Sequence, residues 1–512
     1  MLRGGWHSLS AMTLVLSSVA TTAAADELAA QATTALRQAV KFLRERVAVQ
    51  GSYLWKYTAD LEHGWGEGKA TPTQGWTQAP GTPAVGLAFL RAYEATGDPE
   101  FLAAAHEVGQ ALVQTQLTSG GWWYFIEFDP EKRQAWCYRV DAMSDQPCAA
   151  PKDNEHRDAT TFDDDTSQGA LRFLMLLDAR LGRIDKVDKA IRKAIGYGLD
   201  RFIEAQYPNG AYPVSSDRKV ADALATSAWR ARYPSEWPRR YVEIPEPLFY
   251  AVNDQIIRDM IRAFLLAHRL YGREEDLATA MRAGDFLLAA QMPEPQRGWA
   301  QLYNRDLEPI WSRRFEPPAV ASDETGGALQ ALLELYLYTD EDRYLEGVRD
   351  SAAWLDSSRL ANGQWARFYE LETNRPLYIT SEYELAYDDH DLPQHYSFQG
   401  SFEIPSTLAI YEFLVEEGAT AARVALELTS EEQQRLTTCL REEVAAIIGT
   451  LDSDGRWIDD GMLRIDTYNH NIDRLAAYVA AMEGRRLTID ATISGLDLPD
   501  PAAAGHATCA RT

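Results

Sequence analysis

Three adjacent aspartates, Asp163-Asp164-Asp165, precede Thr166 and an apolar run at helical spacing. A helix N-terminus uses one side-chain oxygen as its cap. Three neighbouring carboxylates therefore repel one another unless a cation or an arginine answers them, and oxygen-rich clusters of this kind suit calcium. Other helix starts share the acidic character: Asn253-Asp254, Asp323-Glu324-Thr325, Glu403, and Asp466 to Asn471 with His470 among them. Taken singly, each reads as a cap placed at the positive end of a helix dipole. Taken together, they offer paired carboxylates for acid–base work. Asp164 or Asp254 with Glu324 would serve a glycoside hydrolase, provided one of the pair keeps its proton.

A second constellation runs from Trp365 to Pro376, with Arg367 and Arg375 flanking Phe368-Tyr369-Glu370. Arginine pairs bidentately with a carboxylate on a substrate. The competing reading is a salt bridge to Glu370 or Glu372. A tyrosine-rich run, Tyr378, Tyr383 and Tyr387, continues to Asp388-Asp389-His390-Asp391. There is no GxSxG, no HExxH and no phosphate-binding glycine loop.

These residues must be held by helices. Turns rich in Gln, Gly and Trp punctuate the chain: Gln116 to Trp122, Gln206 to Tyr212, Gln291 to Trp299, Ala361 to Trp365, and a weaker Asp454 to Trp457. Between them apolar residues recur near i, i+3, i+4 and i+7, as in Leu171, Leu174, Leu177 and Val187, Ile191, Ile195. One set of helices is predicted to start near residues 27, 99, 185, 275, 341 and 431, and a partner set near 82, 163, 252, 322, 403 and 466. Six outer and six inner helices predict an all-α fold, an α/α toroid of about six hairpins. The acidic inner-helix starts would then gather at one mouth of the ring. The long stretches 123–160 and 211–250 are expected to form aromatic-rich cleft walls. Flat indole faces suit sugars.

Composition bounds the partner. Lysine plus arginine is 50 and aspartate plus glutamate 76, giving a net charge of −26. That balance argues against nucleic acid and anionic membranes. Residues 1–25, with Arg3, the apolar run Met12 to Ala20 and Ala23-Ala24-Ala25, read as a signal peptide, so a secreted or periplasmic protein is expected. No later stretch is apolar enough to span a membrane. Residues 26–490 are read as one toroid domain and 491–512 as a tail; a monomer is expected. Cys137 and Cys148 are close enough in sequence to form a local disulfide, and Cys439 with Cys509 would be a second.

The blocks Thr160 to Asp165, Glu204 to Pro213 and Ala366 to Pro376 together resemble the pectic acid lyase family, polysaccharide lyase family ten, over about residues 75 to 390. The resemblance implies a pectate-lyase-like enzyme that cleaves an acidic, uronate-containing polysaccharide by β-elimination, with calcium. It implies Asp164 and Asp165 as metal ligands and Arg375 as the active-site arginine; the chemistry of elimination makes Arg367 a second candidate base and Tyr369 or His390 an alternative proton donor or base. Asn253, Asp254, Asp323, Glu324, Asn374, Trp122 and Trp299 are the residues expected to touch substrate. The chain departs from the family at Ala79-Pro80, where an aspartate is usual, and at Pro393 to Phe398, where an Arg-Arg-Gly-Tyr element is usual. Residues 400–512 are additional. The alternatives are the hydrolase above and a non-catalytic secreted polysaccharide-binding protein. A triterpene-cyclase-like enzyme shares the Gln and Trp turns but lacks the first Asp of that acid motif, Phe162 standing there. A lyase would need its positive charge concentrated in the cleft, with Arg239-Arg240, Arg313-Arg314, Arg367 and Arg375 as the candidates.

Overall fold

A computed structural model describes residues 9–142, 148, 156–217, 229–244, 249–419 and 427–487. Its helices are α1 Leu9–Phe42, α2 Thr82–Thr96, α3 Pro99–Thr115, α4 Thr166–Arg183, α5 Lys189–Ala205 and α6 Ile256–Tyr271. They continue with α7 Glu274–Ala290, α8 Ser322–Thr339, α9 Asp342–Ser357, α10 Ile404–Glu417, α11 Ser430–Thr450 and α12 Ile465–Met482. Their boundaries reflect local chemistry. Asp98 and Asp188 cap α3 and α5 with side-chain oxygens, and Thr429 with Glu432 forms a reciprocal capping box on α11. Gly97 and Gly272 end α2 and α6 in the left-handed region.

The even-numbered helices pack side by side in the order α12, α2, α4, α6, α8, α10, and the odd-numbered ones surround them in the order α11, α1, α3, α5, α7, α9. The fold is an α/α toroid, as the spacing predicts. The inner helices are almost wholly buried. The α8 face from Leu329 to Leu337 and the α6 face from Ile256 to Leu266 are sealed from solvent. α10 is the exception, burying only Ile404, Thr407 and Leu414.

Charged pairs stitch successive inner helices together. Arg91 of α2 meets Asp473 of α12 at 3.1 Å, and Arg180 of α4 meets Glu94 of α2. Arg262 of α6 meets Glu334 of α8 at 2.6 Å, and Gln330 of α8 donates to Glu403 and to Thr407 of α10. These groups are in part hidden from water, so leaving one unpaired would cost more than breaking a surface bridge.

The turns do more than reverse the chain. Gln116, at the end of α3, donates through Nε2 to Gly120 O (2.8 Å) inside its own turn and to Ala194 O (2.9 Å) on α5. Gln206 repeats this to Gly210 O and to Thr279 O on α7, and Gln291 reaches Gly347 O on α9 at 2.8 Å. Each tie locks one outer helix end to the next outer helix. The tryptophan of the turn then reaches back. The indole N–H of Trp122 donates to Leu112 O, Trp299 to Leu287 O, Trp365 to Leu355 O and Trp457 to Ile447 O, at 2.8–3.0 Å. Gly210 sits at φ +93°, and a Cβ there would lie 2.0 Å from Arg282 O, so Pro-Asn-Gly both turns the chain and admits α7.

Short antiparallel strands leave these turns and feed the inner helices. The strand Ala319–Ala321, which enters α8, pairs with Phe368–Glu370, and that strand pairs with Pro376–Ile379. Cys137 and Cys148 form the expected disulfide. Cys439 is also disulfide-bonded; Cys509, expected as its partner, lies outside the described residues. Among the described residues no helix is long and apolar enough to cross a membrane.

Replacing Trp365 by Phe should expose the value of the turn ties. The change removes a buried N–H donor, strands Leu355 O and leaves a void, at a cost of about 2–4 kcal/mol. Urea unfolding should register that loss. The same change at half-buried Trp65 should cost less than about 1 kcal/mol.

Candidate functional site at the mouth of the ring

Three inner helices begin with the same unusual backbone. Asp164 and Asp165 before α4, Asp254 and Gln255 before α6, and Phe402 and Glu403 before α10 all lie in the left-handed region, with φ between +49° and +62°. None of these residues is glycine, so each position is strained by about 1–3 kcal/mol. The repeated turn brings the first two inner-helix starts together. One carboxylate oxygen from each of Asp163, Asp164 and Asp254 lies within 4.8 Å of the others.

Each acid has its own support. Asp163 is buried and its Oδ2 accepts the hydroxyl of Tyr124 at 2.7 Å. Its Oδ1 is buried with no hydrogen-bond partner among the described residues. Asp164 reaches into solvent and accepts Gln78 Nε2 at 2.7 Å. Gln78 also donates to Glu67, and Trp76 Nε1 donates to Gln78 Oε1, which fixes the amide. Asp254 accepts from Asn253 Nδ2 at 2.7 Å and from Arg313 Nη2 at 2.9 Å. Arg313 approaches Asp163 as well, at 4.0 Å.

Crowding of like charges in a dry place sets the protonation. Burial, then the Asp254 and Asp164 carboxylates, push Asp163 up to about 8. Asp164 keeps an edge in solvent, but the atoms packed around its carboxylate, then Asp254 and Glu67, push it up to about 6, with Arg313 and the Gln78 amide opposing. At neutral pH the mouth therefore holds a protonated carboxyl beside an ionised one. Burial alone would make Arg313 more acidic, but Glu316, Asp254 and Asp163 hold its proton more tightly than usual.

Next to the trio, on α8, Glu324 is fully buried and accepts Gln301 Nε2 at 3.0 Å. Burial first, then Asp323, push it up to about 8, with Arg367 opposing. Arg367 donates to Asp323 Oδ2 at 2.9 Å and to Ser397 O, and its guanidinium lies over the rings of Tyr396 and Phe402. Its proton is held more tightly, not less: burial opposes this, but Tyr396, Glu324 and Asp323 prevail.

The remaining expected residues are placed elsewhere. Asp165 faces inward to Arg172, with Asp259 beyond it, so the acids that could hold a metal ion are Asp163, Asp164 and Asp254 in place of the Asp164–Asp165 pair. Asn253 is buried and orients Asp254. Trp122 and Trp299 are completely buried with their indole N–H groups spent in the turns, so neither offers a face to a sugar. Tyr369 is buried too, its hydroxyl accepting Ala366 N and donating to Ser358 O. Ser322 N, at the start of α8, donates to Arg367 O, which sets Arg367 at the mouth. Arg375 lies in the turn at the opposite end of the same strand, exposed and stacked on Tyr387 at 3.8 Å. Asn374 shares that turn and ties it to Trp354, Ser358 and Gln296. Arg239 is drawn to Glu370 and stacks on Trp237. The expected concentration of positive charge is thus reversed: Asp163, Asp164, Asp254, Glu316, Asp323 and Glu324 surround Arg313 and Arg367.

Gln78 and Tyr124 were not expected at the site. Their only sequence signal is adjacency, one before Ala79-Pro80 and the other directly after the Gly-Gly-Trp-Trp turn. Arg313 was visible only as part of a basic pair.

No family profile and no curated protein matches the chain. Solved structures with a similar course of the chain include a family 10 polysaccharide lyase from Cellvibrio cellulosa, at 16% identity and TM-score 0.41, covering 66% of this chain and 97% of that one. A D-mannose isomerase is similar at 13% identity and TM-score 0.46, covering 87% and 96%. The α-1,6-mannanase of Salegentibacter sp. HEL1_6 is similar at 12% identity and TM-score 0.38, covering 89% and 99%. At these values the likeness carries no argument about chemistry.

The buried acid yields a stability prediction. Folded Asp163 keeps its proton up to about pH 8, whereas an unfolded aspartate releases it near 3.9. The native state therefore binds the extra proton, and stability falls as pH rises between those values. Asp163→Asn cannot ionise. In chelator it should melt on the order of 2 °C above the parent at about pH 8.5 and no higher at about pH 4, by calorimetry.

Proposed function

We propose that the protein is a carbohydrate-active enzyme, a glycoside hydrolase acting on a polysaccharide at the acidic mouth of the toroid. The observation that carries this reading is the Asp163–Asp164–Asp254 trio, three carboxylates in mutual contact range with one arginine among them. Hydrolysis of a glycosidic bond needs a carboxylic acid to protonate the leaving oxygen and a carboxylate to attack or to activate water. Asp163 is the protonated member, and Asp164, open to solvent and held by Gln78, is the attacking one. Asp254, in reach of both, passes the proton, and Arg313 balances its charge. The reading of residues 1–25 as a signal peptide is in keeping with a polymeric substrate outside the cell.

A uronate lyase is the second reading, favoured by a different feature of the same trio. Asp163 Oδ1 and Asn253 Oδ1 are buried without partners beside carboxylate oxygens, a donor set that suits a hard cation such as calcium. Such a cation would neutralise a uronate carboxylate before elimination. The arginines expected as its base fit that role poorly: Arg313 and Arg367 both hold their protons tightly, and Arg375 stands at the far end of its strand from Arg367.

Two assays separate the readings. On a panel of neutral and acidic polysaccharides, hydrolysis should generate reducing ends without ultraviolet-absorbing unsaturated ends, and chelator should not abolish it. Asp164→Asn and Asp254→Asn should each lower the rate by about 10²–10⁴-fold. Unsaturated products that vanish in chelator would replace the hydrolase by the lyase. Binding without cleavage of any polymer would favour the non-catalytic protein.

A further inference from the structure

Glu316 is a buried carboxylate that the chemistry above does not use. It is 1% exposed and lies between the strand Pro309–Ile310 and the strand Ala319–Ala321. Its Oε1 accepts the Tyr396 hydroxyl at 2.8 Å, and its Oε2 stands 3.4 Å from Arg313 Nε with no hydrogen bond of its own. Two backbone bonds, Ser312 N to Glu316 O and Glu316 N to Arg313 O, close the segment into a tight loop that carries Arg313. Tyr396 is clamped in turn. Arg367 covers its ring at 4.5 Å, Phe315 packs on it at 4.7 Å, and Gln301 Nε2 approaches its hydroxyl at 3.4 Å.

Arg313 is 45% exposed, and exposed ion pairs hold long side chains poorly. Its contact with Asp254 needs a second anchor. Glu316, whose Oε2 stands 3.4 Å from Arg313 Nε, is placed to supply one, and burying a carboxylate is costly unless partners answer it. We propose that Glu316, braced by Tyr396, is a positioning residue that holds Arg313 against Asp254 and so keeps the carboxylate trio aligned. It acts through Arg313 and touches no substrate. The proposal rests on the reading of Asp254 as a catalytic residue, and its structural half is independent of that reading.

The test uses the full chain and two near-isosteric variants, Glu316→Gln and Tyr396→Phe. Glu316→Gln should lower kcat about tenfold or more with KM within about twofold, because alignment and not binding is lost. Placed in an Arg313→Gln background it should cost nothing further, since residues that act through one another are not additive. Tyr396→Phe should show the same pattern with a smaller loss. A crystal structure of Glu316→Gln should show Arg313 beyond hydrogen-bond distance of Asp254. Equal losses with and without Arg313, an effect on KM alone, or an unmoved Arg313 would each overturn the proposal. If Glu316→Gln does not fold, Tyr396→Phe, which keeps the ring under Arg367, is put through the same cycle and the same crystallography. If the parent cleaves no polysaccharide, the hydrolase reading falls, and the crystal structure alone decides whether Glu316 places Arg313.

Discussion

A single side-chain amide, repeated, sets the geometry of the ring. Gln116, Gln206 and Gln291 each close their own turn and grip the next outer helix. In the first and third of these turns a tryptophan, Trp122 or Trp299, then fastens the chain back onto the helix it has just left. A buried amide that lost one of these carbonyls would leave donors unsatisfied, which costs more than the bond itself contributes. Each turn thereby delivers the next inner-helix N-terminus, with its acids, to a fixed place.

Regularity at the outer wall permits strain at the mouth. The left-handed turns at Asp164-Asp165 and Asp254-Gln255 are unfavourable for residues that carry a Cβ, and they persist because strands and helices on both sides overdetermine them. They place carboxylates closer together than water-exposed acids would settle. Burial and mutual repulsion then keep one proton on the group above the pH at which an isolated aspartate loses it. The third copy, Phe402-Glu403, has the same backbone but an aromatic ring where the other two have Asp164 and Asp254, and that ring supports Arg367 in place of supplying acid. One backbone device, three times used, yields two acidic corners and one that holds a cation.

The architecture was legible in the sequence because it is written in short-range chemistry. Caps such as Asp98 and Asp188, stops such as Gly97 and Gly272, and the Gln and Trp turns all act within a few residues of themselves. The acidic helix starts were legible for the same reason. Which of them meet was not, because the approach of Asp163 to Asp254 crosses two turns and a helix pair. Tryptophans misled: Trp122 and Trp299 have the composition of a sugar platform, but the hydrogen-bonding indole is what the turn requires. Arg375 misled similarly. Two arginines flank one hairpin strand, and only the pairing register reveals that one is at the mouth and the other at the far turn. Glu316 and Tyr396, eighty residues apart, meet across the fold, a contact that no local signal announces.

The origin of the oxygen at the new chain end separates hydrolysis from elimination. Cleavage carried out in water enriched in oxygen-18, with products weighed by mass spectrometry, reads this directly. Hydrolysis assisted by the Asp163–Asp164–Asp254 trio predicts one heavy oxygen at the new reducing end for every bond cut, and none elsewhere. Products that carry no heavy oxygen and weigh one water less, as elimination gives, would contradict it.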